Sequence, residues 1–534
     1  MSATPRAGLP VAPGTAARAA ALAATNPRAV DLGGTVAGRV RARAAAAPDH
    51  EAIVSGTDVV DYARLVRDAD RLAARLRDAG CGPGWTVACL GRRSALTPVL
   101  FLAVEQLGAV YLPVDPSWPR ARRDDVLLRS GSALLADCTG GGVALTVLRP
   151  DGGGAAAGPG LPGEPPPRYV IFTSGTTGRP KGAVVSQPGM LNHLHAKILD
   201  LGLTARDRVA FTAPLAFDIS VWQMLAPLVA GGTVVVADDN DVTFPPRLHR
   251  LLTRHGATVV ELVPTAIAGL LDEAERRGPA GALPRLRWLV STGEELRPGL
   301  ARRALDTLPG TALLNAYGPT ECSDDVTHHV VTRGDLAATR LPVGRPIANA
   351  EIHCLRRDPG SDRWRCAEDG EDGEVFVGGV PVGLGYVGDG TTTRESFFGD
   401  TLGTAAPDGR LYRTGDLGRL EGGVLHYLGR ADRQVKVSGV RLELDEVEAV
   451  LSTHPAIGHC AVTAPGEGGR PGLVAWYVAR APVAAGELEA HLRAVLPPAA
   501  VPQRWRAVSA LPLTPNGKVD HASLTAGAAD DAPR

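Results

Sequence analysis

Apolar side chains recur from Tyr62 to Ala79 at Leu65, Ala69, Leu72 and Leu76, a spacing that gathers them on one face of an α-helix, and Gly80 supplies the stop. Elsewhere the apolar positions are short and consecutive. Trp85 to Leu90, Tyr169 to Phe172, Thr233 to Val236 and Val259 to Val263 are bounded by Gly, Pro or polar residues and predict strands. Strands alternating with helices predict a layered α/β core. After about residue 430 a smaller set of elements follows. A helix carries Leu444, Val447, Val450 and Leu451, a strand runs from Leu473 to Val478, and a second helix carries Leu488, Leu492 and Val495. Thr514-Pro-Asn-Gly517 predicts a turn that presents Lys518. The expected organisation is a flexible leader over 1–33, a large N-terminal core over 34–430, a small C-terminal α+β domain over 431–524 and a polar tail over 525–534. The Gly-, Ala- and Pro-rich stretch from Gly152 to Pro167 reads as a loop.

Composition narrows the class. At 534 residues the chain can bury more than one core, and 44% hydrophobic content with a net charge of −1 describes a soluble globular protein. Near-neutrality argues against a nucleic-acid partner, and no apolar run approaches the roughly 18 residues of a membrane span. The leader has no compact apolar segment followed by a cleavage site, so it does not read as a signal peptide. Seven scattered cysteines without metal-ligand spacing predict reduced, packing thiols in a cytoplasmic protein.

The chemistry is carried first by Tyr169-Val-Ile-Phe-Thr-Ser-Gly-Thr-Thr-Gly-Arg-Pro-Lys-Gly182. A strand runs into a loop dense in hydroxyls and glycine that ends at Lys181. Glycine allows close backbone approach to phosphate oxygens, and the lysine adds the countercharge. The Gly-Lys-Ser/Thr ending of a Walker loop is absent. Six further strings follow in order: Gly108-Ala-Val-Tyr-Leu-Pro-Val-Asp115, Phe217-Asp-Ile-Ser220, Asn315-Ala-Tyr-Gly-Pro-Thr-Glu321, Tyr412-Arg-Thr-Gly-Asp416, Gly429-Arg-Ala-Asp-Arg-Gln-Val-Lys436 and Asn516-Gly-Lys-Val-Asp520. Together they resemble the adenylate-forming superfamily of acyl-CoA synthetases, luciferases and nonribosomal peptide synthetase adenylation domains, from about Val36 to Leu524.

The resemblance implies attack of a substrate carboxylate on the α-phosphorus of ATP, for which the protein supplies charge and alignment rather than a covalent nucleophile. It gives the ATP phosphates to Thr173, Ser174, Gly175, Thr176, Thr177, Gly178 and Lys181, and Mg²⁺ to Glu321. Thr320 would contact the α-phosphate, Tyr317 would stack on adenine, and Asp416 and Arg430 would hold the ribose. Lys518 would bridge carboxylate and α-phosphate. Asp432 would be the hinge on which a mobile small domain turns between adenylation and thioester formation. One departure is Lys436-Val-Ser438-Gly439, where the family commonly has arginine in place of the serine.

Asp218 separates the branches of the superfamily. Amino-acid-activating members place an aspartate here for the substrate α-ammonium, a charge-assisted bond that acyl- and aryl-CoA ligases do not need. The same residue also suits a helix cap. By resemblance the pocket wall is Phe217, Asp218, Ile219, Trp222, Glu261, Val290, Thr292, Ala316, Asp324 and Asp325, with Lys518 at its mouth. An unpaired glutamate in the apolar strand around Glu261 would be costly. The expected answer is a cationic substrate side chain, such as lysine, ornithine, another diamino acid, β-lysine or a guanidino acid, held by Glu261 with Asp325, with Asp324 as a further candidate, and facing Trp222. If Asp324 and Asp325 lie on a strand, they point to opposite sides. The expectation is a stand-alone amino-acid adenylation enzyme that loads the phosphopantetheine thiol of a separate peptidyl carrier protein, with a small MbtH-like activator as a candidate partner. The alternatives are an acyl- or aryl-CoA ligase and a degenerate binding protein.

Overall fold

The computed structural model describes residues 7–23, 30–149, 164–173, 180–358, 360–402, 409–437, 439–464, 472–512 and 519–530. They form two compact units. One comprises Met1–Asp115, Arg129–Ile171 and Gly182–Ala431, and the other Pro116–Leu128, Phe172–Lys181 and Asp432–Arg534.

In the first unit a nine-stranded sheet and a seven-stranded sheet share an apolar cluster with the helices beside them. Tyr111 and Ile171 enter it from one sheet, and Val209, Val259, Val290 and Leu314 from the other. Three parallel strands of the larger sheet, Val259–Leu262, Trp288–Ser291 and Ala312–Tyr317, run side by side, with Glu261 opposite Val290 and Val290 opposite Leu314. Thr327–Val331 pairs antiparallel beyond them. The helix Ile219–Ala230 is almost wholly apolar and is buried on every side, as such a sequence requires. Gly231 ends it at φ 90°. The neighbouring helix Gln187–Leu201 starts where the Ser186 hydroxyl accepts from Gly189 N–H at 3.2 Å, and stops at Gly202 with φ 57°. His193 and Lys197 are buried on it despite their polarity.

A third, six-stranded antiparallel sheet sets Asp416 of Arg410–Glu421 opposite Arg430 of Val424–Arg430. In the second unit the helices Leu444–Ser452 and Ala485–Arg493 share a core with the three-stranded sheet Ile457–Thr463, Val474–Ala479 and Arg504–Ala507. The fold class is therefore the expected one, a large layered α/β unit and a smaller α+β unit. The helix expected from Tyr62 is found at Tyr62–Asp78, with Leu65, Ala69, Leu72 and Leu76 buried.

Two expectations are corrected. The described part of the leader packs: Leu9 and Ala19 lie against Trp364, Phe376 and Leu411, and Ala12 N–H donates to Trp364 O at 2.8 Å. Val495 falls beyond the end of its helix and is exposed, because the helix stops at Arg493 while Leu488 and Leu492 fill the core. All seven cysteines are free thiols. Among the described residues no helix is long and apolar enough to cross a membrane.

Candidate active site

The residues expected to hold the nucleoside meet in the first unit. Tyr317, the last residue of its strand, donates its hydroxyl to Asp416 Oδ2 at 2.5 Å. Arg430 Nη1 reaches Asp416 Oδ1 at 2.9 Å and Thr414 O at 2.8 Å. Tyr427, which the sequence reading passed over, lies against Tyr317 with ring centres 5.8 Å apart. Burial and the Asp416 carboxylate hold the Tyr317 phenol protonated, well above its ordinary range.

Glu321 sits in the short helical turn Thr320–Cys322 and is 1% exposed. Its Oε1 accepts from the Tyr386 hydroxyl at 2.7 Å, with the Tyr412 hydroxyl 3.4 Å from that of Tyr386. One buried hard carboxylate fits Mg²⁺, which takes one or two carboxylates and completes its shell with phosphate oxygens and water. Thr320 is half-buried beside it. Cys322 is buried with its thiol pushed up, so it is no nucleophile. Thr173 and Lys181 flank the phosphate loop, and the Thr173 hydroxyl lies 3.5 Å from Lys181 O. Ser174, Gly175, Thr176, Thr177, Gly178 and Lys518 lie outside the described residues.

Asp218 ends the loop before the helix Ile219–Ala230, and its Oδ1 accepts from Ile219 N–H at 3.0 Å. The capping role is thus present, and it pins the carboxylate at the helix N-terminus. Phe217 and Ile219 beside it are half-buried, and Val290, Thr292 and Ala316 are buried wall positions. Asp324 and Asp325 do not alternate as on a strand. Ser323 and Asp324 have φ of 64° and 88°, so both carboxylates turn into one polar cluster.

The cation in that cluster belongs to the protein. Lys197 Nζ lies 2.6 Å from Asp325 Oδ2, 3.2 Å from Glu261 Oε1 and 4.6 Å from the centre of the Trp222 ring. The Trp222 indole N–H donates to Glu261 Oε2, and the Thr292 hydroxyl donates to Asp325 Oδ1 at 3.3 Å. The expectation that Glu261 and Asp325 need a substrate cation, and that Trp222 faces it, is therefore corrected. Lys197 already fills both roles.

Charge balance shows what is left over. Burial would lower the Lys197 ammonium, but Asp325 and Glu261 outweigh it and raise its pKa. Burial would raise Asp325, yet Lys197 and His328 hold it ionised. Glu261 is pushed up to about 7 by burial, against the pull of Lys197. Asp324 is driven well above the carboxylate range by burial and then by Asp325, Asp218 and Glu261. Its Oδ2 faces His193 Nε2 at 3.3 Å, and that imidazole is neutral, lowered to about 3 by burial and by Lys197. His193, Asp324 and Asp325 each bring one ligand atom within 4.8 Å of the others. The Lys197 ammonium already lies against Asp325, which weighs against a metal ion there.

His193, Lys197 and Asp200 recur at i, i+4 and i+7 on one helix, and Asp200 accepts from His328 Nδ1 at 2.8 Å. That spacing is a signal readable in the sequence, and the sequence expectations did not include it.

Residues 40–387 match the AMP-binding enzyme family, and 446–518 match the AMP-binding enzyme C-terminal domain. The chain is 37% identical over 497 residues to phosphinothricin tripeptide synthetase PhsB of Streptomyces viridochromogenes, covering 89% of this chain and 40% of that protein. Novobiocin biosynthesis protein H of Streptomyces niveus is 35% identical over 516 residues, 89% of this chain and 80% of that protein. Among solved structures, holo-PA1221, a nonribosomal peptide synthetase protein with adenylation and carrier domains, superposes with a TM-score of 0.78 at 30% identity. The match covers 92% of this chain and 84% of that one.

Proposed function

We propose, since this chain belongs to the AMP-binding enzyme family, that it activates an amino acid with ATP as the aminoacyl adenylate and passes it to a phosphopantetheine thiol of a carrier protein. The observation that carries this reading is the meeting of two sets of groups in one unit. Tyr317, Asp416 and Arg430 form one hydrogen-bonded cluster, and the buried acids Asp218, Glu261, Asp324 and Asp325 form another. Asp218 receives the α-ammonium while the helix N-terminus holds its carboxylate in place. Glu321 would hold Mg²⁺, which when bound would neutralise phosphate charge. Lys518 and the phosphate loop align the carboxylate and the α-phosphorus.

The substrate in this reading carries a second amino group. At Asp324 burial and the nearby acids outweigh the pull of Lys197, and its Oδ2 faces a neutral imidazole, so an added ammonium gains a charge-assisted hydrogen bond there. Such a bond is worth about 1.5–3 kcal/mol. Because Asp324 stays protonated without that ammonium, a neutral side chain leaves no bare charge, and the preference is about ten- to a hundredfold. A guanidinium gripped by Glu261 and Asp325 together loses its support, since Lys197 occupies that grip.

Pyrophosphate exchange driven by a panel of amino acids and des-amino carboxylic acids tests both levels. Exchange with amino acids only, strongest with a diamino acid, is expected, and Asp324→Asn should bring diamino and neutral substrates to within about threefold. Exchange driven by des-amino acids would move the chain to the acyl-CoA ligases.

A further inference from the structure

A lysine with 0% side-chain exposure, clasped between two pocket carboxylates over an indole face, is the arrangement a long basic substrate would meet if the pocket were vacant of charge. Trp222, Glu261 and Asp325 are all wall positions of the pocket, and Lys197 comes from a different element, the helix Gln187–Leu201. We propose that Lys197 is a specificity-determining residue. Its ammonium holds the place that the side-chain ammonium of ornithine or lysine would take, and so restricts activation to shorter diamino acids whose second ammonium stops at Asp324. This inference rests on the reading of a diamino acid substrate given above.

The physical reason is like-charge exclusion in a water-poor site. A long side chain reaching Glu261 and Asp325 brings a second ammonium next to Lys197, and two cations at that spacing repel strongly where solvent does not screen them. A short one offers its α-ammonium to Asp218 and its second ammonium to Asp324, whose Oδ2 lies 3.3 Å from the His193 imidazole, rather than to Asp325, where Lys197 Nζ already stands at 2.6 Å. Lys197 also keeps Asp325 ionised and the His193 imidazole neutral, while its pull on Asp324 is outweighed by burial and the neighbouring acids.

The test is pyrophosphate exchange by the full chain with 2,3-diaminopropionate, 2,4-diaminobutyrate, ornithine, lysine, norvaline and norleucine, for the natural protein and Lys197→Ala. The natural protein should favour the two short diamino acids over ornithine and lysine by tenfold or more. Lys197→Ala should shift the ratio of kcat/KM by at least tenfold toward ornithine or lysine, because the substrate ammonium then replaces the missing one. A purely structural lysine would lower all substrates together and leave their order unchanged, and that result overturns the proposal. Should Lys197→Ala fail to fold, Lys197→Met fills the same space, leaves Glu261 and Asp325 in place to receive the substrate ammonium, and must show the same shift toward long substrates. Preference of the natural protein for ornithine or lysine overturns the role of Lys197 while leaving the diamino reading intact. Preference for a neutral amino acid removes both.

Discussion

At the scale of single residues, the pocket holds carboxyl groups that keep their protons because burial and neighbouring acids outweigh the one lysine among them. Glu261 titrates near 7 in the folded chain, pushed up by burial, above the ordinary glutamate value of 4.5. A folded pKa above the unfolded one contributes stability that is full below the unfolded value and is lost as pH rises through the folded value. Glu261, and Asp324 with the same sign, therefore make the protein less stable from about pH 4.5 upward, through 7. Unfolding midpoints measured from pH 5 to 8 should fall less steeply in Glu261→Gln than in the natural protein. Parallel curves would mean that Glu261 is already ionised at pH 5. Substrate binding uses the same protons. A diamino acid lowers the pKa of the carboxyls it meets, so calorimetry near pH 7 in buffers of different ionisation enthalpy should register proton release with 2,4-diaminobutyrate and none with norvaline. Equal release with both would detach the protons from the side-chain ammonium.

Elements decide where those carboxyls point. The turn after Tyr317 depends on Gly318, because a Cβ there would lie 2.0 Å from Asp324 O and 2.5 Å from Asp325 Cα. Close approach of two backbone segments admits only glycine at such a position. Ser323 and Asp324 hold positive φ, and the Ser323 hydroxyl donates to Pro381 O at 2.8 Å. Gly318→Ala should push this turn away and cost at least tenfold in the preference for diamino over neutral amino acids, read by pyrophosphate exchange. Full retention of activity and preference would show that the turn adjusts freely. Nothing in the string Thr320-Glu-Cys-Ser-Asp-Asp325 announces positive φ at non-glycine residues. Reading Asp324 and Asp325 as strand neighbours therefore separated two carboxylates that the turn unites.

At the scale of the molecule, the last change along the chain from one compact unit to the other falls between Ala431 and Asp432. Asp432 Oδ1 accepts from Gln434 N–H at 3.2 Å. As the proposed hinge, Asp432 must change its backbone angles between the two half-reactions, and proline there fixes φ. Asp432→Pro is expected to impair either adenylate formation or thioester formation much more than the other. Wild-type rates for both would move the hinge elsewhere. Lys518→Ala should lower adenylate formation about a hundredfold, as loss of an aimed transition-state charge does, and spare thioester formation from preformed adenylate. Equal losses in both half-reactions would remove Lys518 from that role.

The sequence alone determined helices and strands whose apolar spacing is a short-range property, from the helix Tyr62–Asp78 to the strand that carries Glu261. It also determined the family, because Thr173–Lys181, Glu321, Asp416 and Arg430 each lie inside a contiguous string whose chemistry reads locally. Only the tertiary structure decided what the pocket acids face. Lys197 meets Glu261 64 residues away and Asp325 farther still, and no local pattern encodes a partnership that arises when the helix Gln187–Leu201 is laid beside the sheet. Charge in a protein interior is balanced across space rather than along the chain. A count of acids in the motif could reveal that a cation was needed, but not that the protein supplies one itself.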